Sequence, residues 1–342
     1  MWKKKEDSRQ KYEEQEDEKA VRCSRWRRIL KIPDMNRTKA TEILLLGFQN
    51  IHILNSVLFV LFLVIYILTL AGNLLIIILV AKYESLKTPM YFFLTQLSLT
   101  DILLTTNITP KAIHVIINGG STISFTGCIT QFYFFGLSAG TECYILTAMS
   151  YDRYLAICRP LHYTSIMKFR LCLHLILWSW VVPGLITFII APLVFALQLC
   201  GRVIDHYFCD FAPLLELSCT KHTIAELVDF VLAIPTVMIP FSFVTFTYIS
   251  IILTILGISS SIGRQKAFST CSSHLIIVCA YYGTLIAVYI APSKGLSFNI
   301  NKLLSLLYTM LSPLLNPILY SLRNQDIKTH LKMFISNSLR RN

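Results

Sequence analysis

Two carboxylic acids lie inside long apolar stretches of this 342-residue sequence, where a charged side chain is costly and is usually retained for a role. They are Asp101 and Glu142. Together with Asn73, Ser312 and Asn316 they make a polar set that, in one interpretation, binds a sodium ion or protons. In the other interpretation they form a hydrogen-bonded packing cluster in which one or both acids are protonated. The sequence leaves both interpretations open.

A second set of residues suits a conformational switch. Asp152-Arg153-Tyr154 puts opposite charges side by side at the end of an apolar stretch, a pattern that also occurs in simple interfacial anchors. Asn316-Pro317-Ile318-Leu319-Tyr320 puts a proline inside an apolar segment, where it removes a backbone donor and makes a kink. Pro240 has the same effect in another segment, with Tyr248 about two turns further along.

Seven apolar windows must position these residues. They are Asn55–Val80, Met90–Pro110, Gly127–Ser150, Leu171–Leu197, Phe230–Leu256, Phe268–Ile290 and Leu303–Leu322. A bilayer-spanning helix needs about 20 apolar residues, and its backbone must be hydrogen-bonded within its own segment. The composition agrees, with 54% hydrophobic residues and a mean hydropathy of +0.59. We therefore predict an all-α membrane protein, a seven-transmembrane helix bundle with a short amphipathic helix after the seventh span.

Lysine and arginine counts in the short connections predict that the N-terminus lies outside and the C-terminus inside. With the N-terminus outside, the cytoplasmic side carries thirteen of them: Lys82, Lys87, Arg153, Arg159, Lys168, Arg170, Arg264, Lys266, Arg323, Lys328, Lys332, Arg340 and Arg341. The opposite side carries five: Lys111, Arg202, Lys221, Lys294 and Lys302. The net charge of +12 therefore does not indicate nucleic acid, because beyond the N-terminal tail these residues lie between apolar windows.

The N-terminal tail has a different composition. Residues 1–34 hold eleven basic and eight acidic residues, which is typical of a disordered extension. Met35 is an alternative start of translation that would remove this extension. Asn36-Arg37-Thr38 is an N-glycosylation sequon on the predicted outer side. The predicted organisation is an extension (1–34), an extracellular segment (35–54), the bundle (55–322) and a cytoplasmic C-terminal helix and tail (323–342).

Five longer strings carry a family resemblance. They are KTPMYFFL (87–94), MSYDRYLAIC (149–158), PLHY (160–163), KAFSTCSSHL (266–275) and PLLNPILYSLRN (313–324). In their order and residues they resemble the tetrapod-type, or class II, olfactory receptors among the rhodopsin-like G-protein-coupled receptors. The resemblance covers about residue 36 to the C-terminus. It implies a plasma-membrane receptor, in olfactory cilia, that binds a volatile odorant and raises cyclic AMP through a stimulatory, olfactory-type G protein.

The resemblance also implies roles for particular residues. Arg153 should engage the G protein when the cytoplasmic helix ends separate, with Tyr248, His274 and Tyr320 rearranging around it; a satisfied core histidine is the alternative for His274. The full switch set is Asp152, Arg153, Tyr154, Tyr248, His274, Asn316, Pro317 and Tyr320. The implied disulfides join Cys128 to Cys209 and Cys200 to Cys219. No cofactor is implied beyond a structural sodium ion at Asp101 and Glu142.

Positions carried over from the family predict a ligand pocket between the helices near the outer face. They are Phe135, Gly136, Ala139, Gly140, Leu232, Thr236, Leu285, Ile286, Tyr289 and Thr309. The set is apolar with a few hydroxyl groups, and it fits a small, mostly uncharged ligand. For any single position, plain helix packing is the alternative.

The sequence argues against two other functions and leaves a third open. An enzyme is not indicated, because the sequence has no Gly-rich phosphate loop, zinc-ligand spacing or nucleophile elbow. A transporter also places acids in the membrane, but transporters usually have internal repeats that this sequence does not show. A receptor of the same superfamily for a non-odour metabolite stays open. His206–Asp210 contains metal-ligand residue types, although a disulfide at Cys209 would remove its thiolate.

Overall fold

A computed structural model of the protein describes residues 42–48, 55–219, 223–290 and 298–339. Its helices are α1 (Asn55–Lys82), α2 (Pro89–Asn118), α3 (Phe125–Cys158), α4 (Pro160–Ile166), α5 (Phe169–Phe195), α6 (Phe211–Leu215), α7 (Thr223–Ala233), α8 (Ile239–Leu256), α9 (Ser261–Ile290), α10 (Phe298–Leu306), α11 (Ser312–Arg323) and α12 (Gln325–Leu339). A 3-10 turn, Glu84–Leu86, follows α1. The tail, the Asn36 sequon and Met35 lie outside the described residues.

Two π-helical segments make the shorter helices continuous. Ile234–Met238 joins α7 to α8, and Leu307–Leu311 joins α10 to α11. The described residues therefore form seven long helical segments: α1, α2, α3, α5, α7–α8, α9 and α10–α11. The predicted fold class is confirmed. The amphipathic helix expected after the seventh span corresponds to α12.

Four segments are long and apolar enough by themselves to cross a membrane, judged by length and composition over the described residues. They are Asn55–Lys82, Phe169–Phe195, Ile224–Leu256 and Lys302–Tyr320. The other long helices carry more polar residues. Among these, α2 contains Asp101 and α3 contains Glu142, and a membrane helix tolerates such residues where they face the interior of the bundle.

The second helix is longer than its apolar window because Pro110 and Lys111 ended the window. In the structure Pro110 lies inside α2, which continues to Asn118. A proline is tolerated in a transmembrane helix because neighbouring groups satisfy the freed backbone carbonyl. The helix ends at Gly119, whose φ of 63° closes the last turn with a bond from its N–H to the Ile116 carbonyl.

The bundle is apolar outside and encloses buried polar residues within its apolar core. Leu177, Trp178 and Phe188 on α5 are 56%, 58% and 65% exposed. Asp101 and Glu142 are fully buried. Exposed apolar side chains around buried acids fit a protein whose surface meets hydrocarbon.

A small sheet, which the sequence did not predict, caps one end of the bundle. Its strands are β1 (Glu42–Leu45), β2 (Ser121–Ser124) and β3 (Val203–Ile204). The central strand β1 is antiparallel to β2 and parallel to β3. We call this the sheet end of the bundle, and the opposite end, where α3 terminates, the Arg153 end.

Candidate functional site

The centre of the bundle holds a polar cluster contributed by several helices. Asn316 of α11 donates through Nδ2 to both carboxylate oxygens of Asp101 on α2, at 3.1 and 3.0 Å, and to Glu142 Oε1 on α3 at 3.4 Å. Ser312 donates to the same Glu142 oxygen at 3.2 Å. Asn73 of α1 joins by donating to a backbone carbonyl of α11 at 3.1 Å. The five residues that the sequence grouped therefore lie together.

Some oxygens of this cluster lack partners. Within the described residues, Glu142 Oε2, Asn73 Oδ1 and Asn316 Oδ1 are buried and accept no hydrogen bond. An unsatisfied buried polar atom costs about 1–3 kcal/mol, so a cation or a proton on an acid would find partners here. No group of three or more His, Cys, Asp or Glu suited to a metal is found in this part of the chain. The oxygen-only donor set suits a hard cation rather than zinc or copper.

At the Arg153 end, a buried ion pair holds the arginine. Arg153 Nη2 and Nε lie 2.7 and 3.1 Å from Asp152 Oδ2, and the Asp152 side chain is fully buried. Tyr163 of α4 donates to the other carboxylate oxygen of Asp152 at 2.8 Å. Burial and the neighbouring carboxylate raise the pKa of Tyr163, so its hydroxyl stays protonated and able to donate. The guanidinium is thus held against its own helix.

Three other predicted switch residues, Tyr154, Tyr248 and Tyr320, lie in or against one apolar core, which Tyr163 also contacts. The Tyr248 hydroxyl of α8 is hydrogen-bonded to Nδ1 of His274 on α9, and both side chains are buried. The Tyr320 hydroxyl lies 4.0 Å from the Met149 sulfur, and Tyr154 packs against the same core.

Towards the sheet end, Phe135 of α3 is the centre of an aromatic group. Its ring centroid lies 5.2 Å from Phe208 of the loop after β3 and 5.9 Å from Tyr308 of the seventh segment. Ala139, one turn along α3, packs against the same apolar cluster, which also contains Phe62 of α1. Phe135 and Ala139, two of the predicted ligand residues, therefore lie under the loop between β3 and α6 (residues 205–210), which covers this end of the bundle.

The two predicted glycines have a packing role. A Cβ atom at Gly140 would lie 2.6 Å from Pro183 Cβ on α5, and one at Gly136 would lie 3.0 Å from Thr187. Both glycines therefore allow α3 and α5 to approach closely. Thr236 is close to Gly140 and donates to a carbonyl of its own helix at 2.8 Å. For these positions the packing interpretation matches the contacts in the structure.

Two further predicted ligand residues lie in other clusters, whereas Thr309 is hydrogen-bonded to Tyr207 of the cluster that contains Phe135. Leu232 packs against the apolar cluster beneath the sheet, and Leu285 belongs to the core cluster towards the Arg153 end. The side chains of Ile286 and Tyr289 lie outside the described part of the chain. A separate apolar groove of about 290 Å³ lies on the outer surface of α3 and α5, lined by Ile129, Phe188, Ala191, Pro192 and Phe195. The structure thus divides the predicted pocket residues among several places.

A glutamine that the sequence did not single out holds the covering loop. Gln131 of α3 donates through Nε2 to the Asn107 carbonyl at 3.0 Å, and its Oε1 accepts from the Cys209 N–H at 2.9 Å. Asn107 Nδ2 donates back to the Gln131 carbonyl at 2.9 Å. This exchange links α2, α3 and the loop. The sequence feature that could have identified Gln131 is an amide side chain in an apolar segment, one turn before Phe135.

A buried lysine provides the second fixation of the loop. Lys302 Nζ lies 2.6 Å from Asp205 Oδ1 and donates to the Gly47 carbonyl at 2.8 Å, with its side chain only 3% exposed. Burial, together with the charge of Lys302, lowers the pKa of the adjacent His206 to about 3. His206 is therefore neutral near pH 7. The contact to Gly47 connects the seventh segment to the strand β1 region.

Two disulfides complete this end. Cys128 of α3 is joined to Cys209 and Cys200 to Cys219, with Cα–Cα distances of 5.5 and 5.3 Å. These are the pairs that the resemblance implied. Because its sulfur is in a disulfide, Cys209 is not available as a thiolate ligand in the His206–Asp210 segment.

Comparisons with known proteins agree with this architecture. The family model described as olfactory receptor matches residues 62–338. The chain is 44% identical to Olfactory receptor 11L1 of Homo sapiens over 294 residues, which cover 86% of this chain and 91% of that protein. It is 44% identical to Olfactory receptor 9G19 of Mus musculus over 303 residues, which cover 88% of this chain and 99% of that protein. It is 45% identical to Olfactory receptor 6C3 of Homo sapiens over 301 residues, which cover 87% of this chain and 96% of that protein.

The contacts of Gln131 generate a stability prediction. Gln131→Leu keeps the size of the side chain but leaves the Cys209 N–H buried without an acceptor, which should cost about 1–3 kcal/mol. We expect a lower midpoint of thermal unfolding for the purified protein in detergent. The matched control is Thr130→Val, whose exposed hydroxyl bonds only to its own helix at the Thr126 carbonyl. Equal midpoints for the two variants would contradict this role of Gln131.

Proposed function

The chain belongs to the olfactory receptor family, and we propose that it detects a small, volatile, mostly apolar odorant and activates a stimulatory, olfactory-type G protein that raises cyclic AMP. It is a multi-pass G-protein-coupled receptor and not an enzyme. One observation supports the proposal that an odorant drives G-protein activation. The single helix α3 carries residues of the apolar cluster at Phe135, the polar cluster at Glu142 and the ion pair at Arg153. A ligand at one end therefore acts on the same helix that holds the switch at the other.

The sheet end is proposed to face outside, in the plasma membrane of the olfactory cilium. The excess of lysine and arginine in the connections at the Arg153 end supports this orientation. Disulfides persist in oxidising surroundings, and both of them lie at the sheet end, which agrees. Asn36 would then be available for glycosylation on the outer side. The stretch before Met35 remains a separate extension in this proposal.

The G protein is proposed to bind at the Arg153 end. Activation requires Arg153 to leave Asp152, and a ligand favours that change only by binding the open arrangement more tightly than the closed one. Leu161 on α4 supports a docking surface here, because it is 91% exposed in a short helix outside the spans.

A sodium ion is proposed to bind between Asp101 and Glu142 in the resting receptor. The orphaned Glu142 Oε2 and Asn316 Oδ1 support this, because a cation there would be coordinated by oxygens that otherwise lack partners. We expect sodium chloride to raise the thermal midpoint of the purified receptor more than choline chloride at equal ionic strength. Glu142→Gln should abolish that difference, and an unchanged difference in the variant would instead favour the protonated packing cluster.

The signalling proposal is tested by cyclic AMP output in cells that co-express the olfactory-type stimulatory G protein, across a panel of volatile odorants. We expect at least one odorant to give a response that Arg153→Ala removes at equal surface level. The matched control is Arg159→Ala, which removes an equal, exposed charge at the same end of the bundle. Silence across the panel despite confirmed surface protein would contradict the odorant assignment and favour a non-odour ligand.

A further inference from the structure

Thr109 of α2, Phe135 of α3 and Thr309 of the seventh segment lie at the same depth in the bundle. The Asn316–Asp101 bond fixes the register of the seventh segment against α2. Thr109 lies eight residues beyond Asp101 on α2, and Thr309 lies seven residues before Asn316, so both are about 10–12 Å towards the sheet end. Phe135 lies seven residues before Glu142 on α3, at the same level.

The helices meet at this level, and the loop that covers the bundle reaches it. The π segment that contains Thr309 packs directly against α2. The Tyr207 hydroxyl of the loop is hydrogen-bonded to Thr309 Oγ1 at 3.0 Å, and the Tyr207 ring is fully buried. Phe208, the next residue, contacts Phe135. Residues of α2, α3, the seventh segment and the loop thus pack together at this level.

The other hydrogen bond of Thr309 decides which hydroxyl group donates in the Tyr207–Thr309 bond. A threonine hydroxyl has one hydrogen, and Thr309 donates it to the Ser305 carbonyl at 2.7 Å. Tyr207 must therefore donate its own hydrogen to Thr309. The phenolic oxygen of Tyr207 keeps its acceptor capacity, and its side chain belongs to the buried cluster that contains Phe135 and Phe208.

The second polar atom of this region has no partner. Thr109 Oγ1 is fully buried and makes no hydrogen bond with any described residue. One turn earlier, Thr105 donates to the Asp101 carbonyl at 2.7 Å, the bond that a threonine inside a helix usually makes. Thr109 does not make the corresponding bond. Its neighbours on α2, Ile108 and Ala112, belong to the apolar cluster that contains Phe135 and Tyr207.

We propose that Thr109 and Tyr207 bind the hydroxyl group of the odorant, and that the receptor is therefore tuned to alcohols or phenols. This inference rests on the proposed odorant function and names the ligand class for its site. A ligand hydroxyl accepts the hydrogen of Thr109 and donates its own hydrogen to the Tyr207 oxygen, while its hydrocarbon part packs against Phe135 and Phe208. An ether of the same size can accept but cannot donate, so it satisfies one of the two groups only.

The experiment uses the full-length receptor, a panel of medium-chain and aromatic alcohols, and the methyl ether of each alcohol. We expect alcohols to activate at concentrations about tenfold lower than their ethers. Thr109→Val and Tyr207→Phe, which remove only the hydroxyl groups, should each raise the half-maximal concentration of the alcohol by about tenfold. Tyr207→Phe should leave that of the ether unchanged, whereas Thr109→Val should raise it too, because the ether oxygen accepts from the same hydroxyl. The matched controls are Thr106→Val, an exposed neighbour on α2, and Tyr133→Phe on α3, and neither should change the preference.

The outcomes separate this inference from the odorant assignment. A receptor that responds to odorants but shows equal potency for alcohols and ethers, or an unchanged alcohol response in both variants, overturns the hydroxyl site and leaves the odorant function intact. Silence towards every panel member at confirmed surface level counts against the odorant function itself. If a variant fails to reach the surface, the purified wild-type receptor decides. Greater thermal stabilisation by an alcohol than by its ether supports the site, and equal stabilisation overturns it.

Discussion

Every polar group inside a hydrocarbon layer must find its partner within the protein, and the arrangement of this receptor depends on that constraint. Asn316 meets it for two acids at once, because its single amide donates to Asp101 and to Glu142. The second, third and seventh segments are thereby joined at their centres. An apolar core alone would not fix their mutual rotation, since in lipid the outer surface of a helix is as apolar as its packed face.

The same constraint explains why the molecule has two ends with different chemistry. At the Arg153 end the charged groups are satisfied locally, by Asp152 and Tyr163, so releasing the arginine requires a replacement partner. At the sheet end a loop is held by Gln131 and Lys302, and its aromatic residues fill the region between the helices. Incompletely satisfied atoms between these ends, such as Glu142 Oε2, are where proton or ion binding can bias one arrangement over another.

Sequence patterns predicted the seven segments and the central cluster, because hydropathy and an acid in an apolar stretch are local signals. They did not predict the sheet, since β1 has four residues and depends on partners from two distant loops. The pocket was predicted less well than the fold. Phe135 and Ala139 lie beneath the loop, but Gly140 serves contact with α5, because family positions carry no information about which face of a helix meets which neighbour. Gln131 and Tyr207 act through the loop, whose path no periodicity reveals.

The central claim is that the ligand end and the Arg153 end are energetically coupled. The direct measurement is the affinity of an activating odorant for the purified receptor in lipid nanodiscs, with and without nucleotide-free stimulatory G protein. Coupling is reciprocal, so the account predicts that the G protein tightens odorant binding by roughly 5- to 150-fold. Arg153→Ala should abolish that increase. The same affinity with and without G protein, under conditions where the complex forms, would contradict the account.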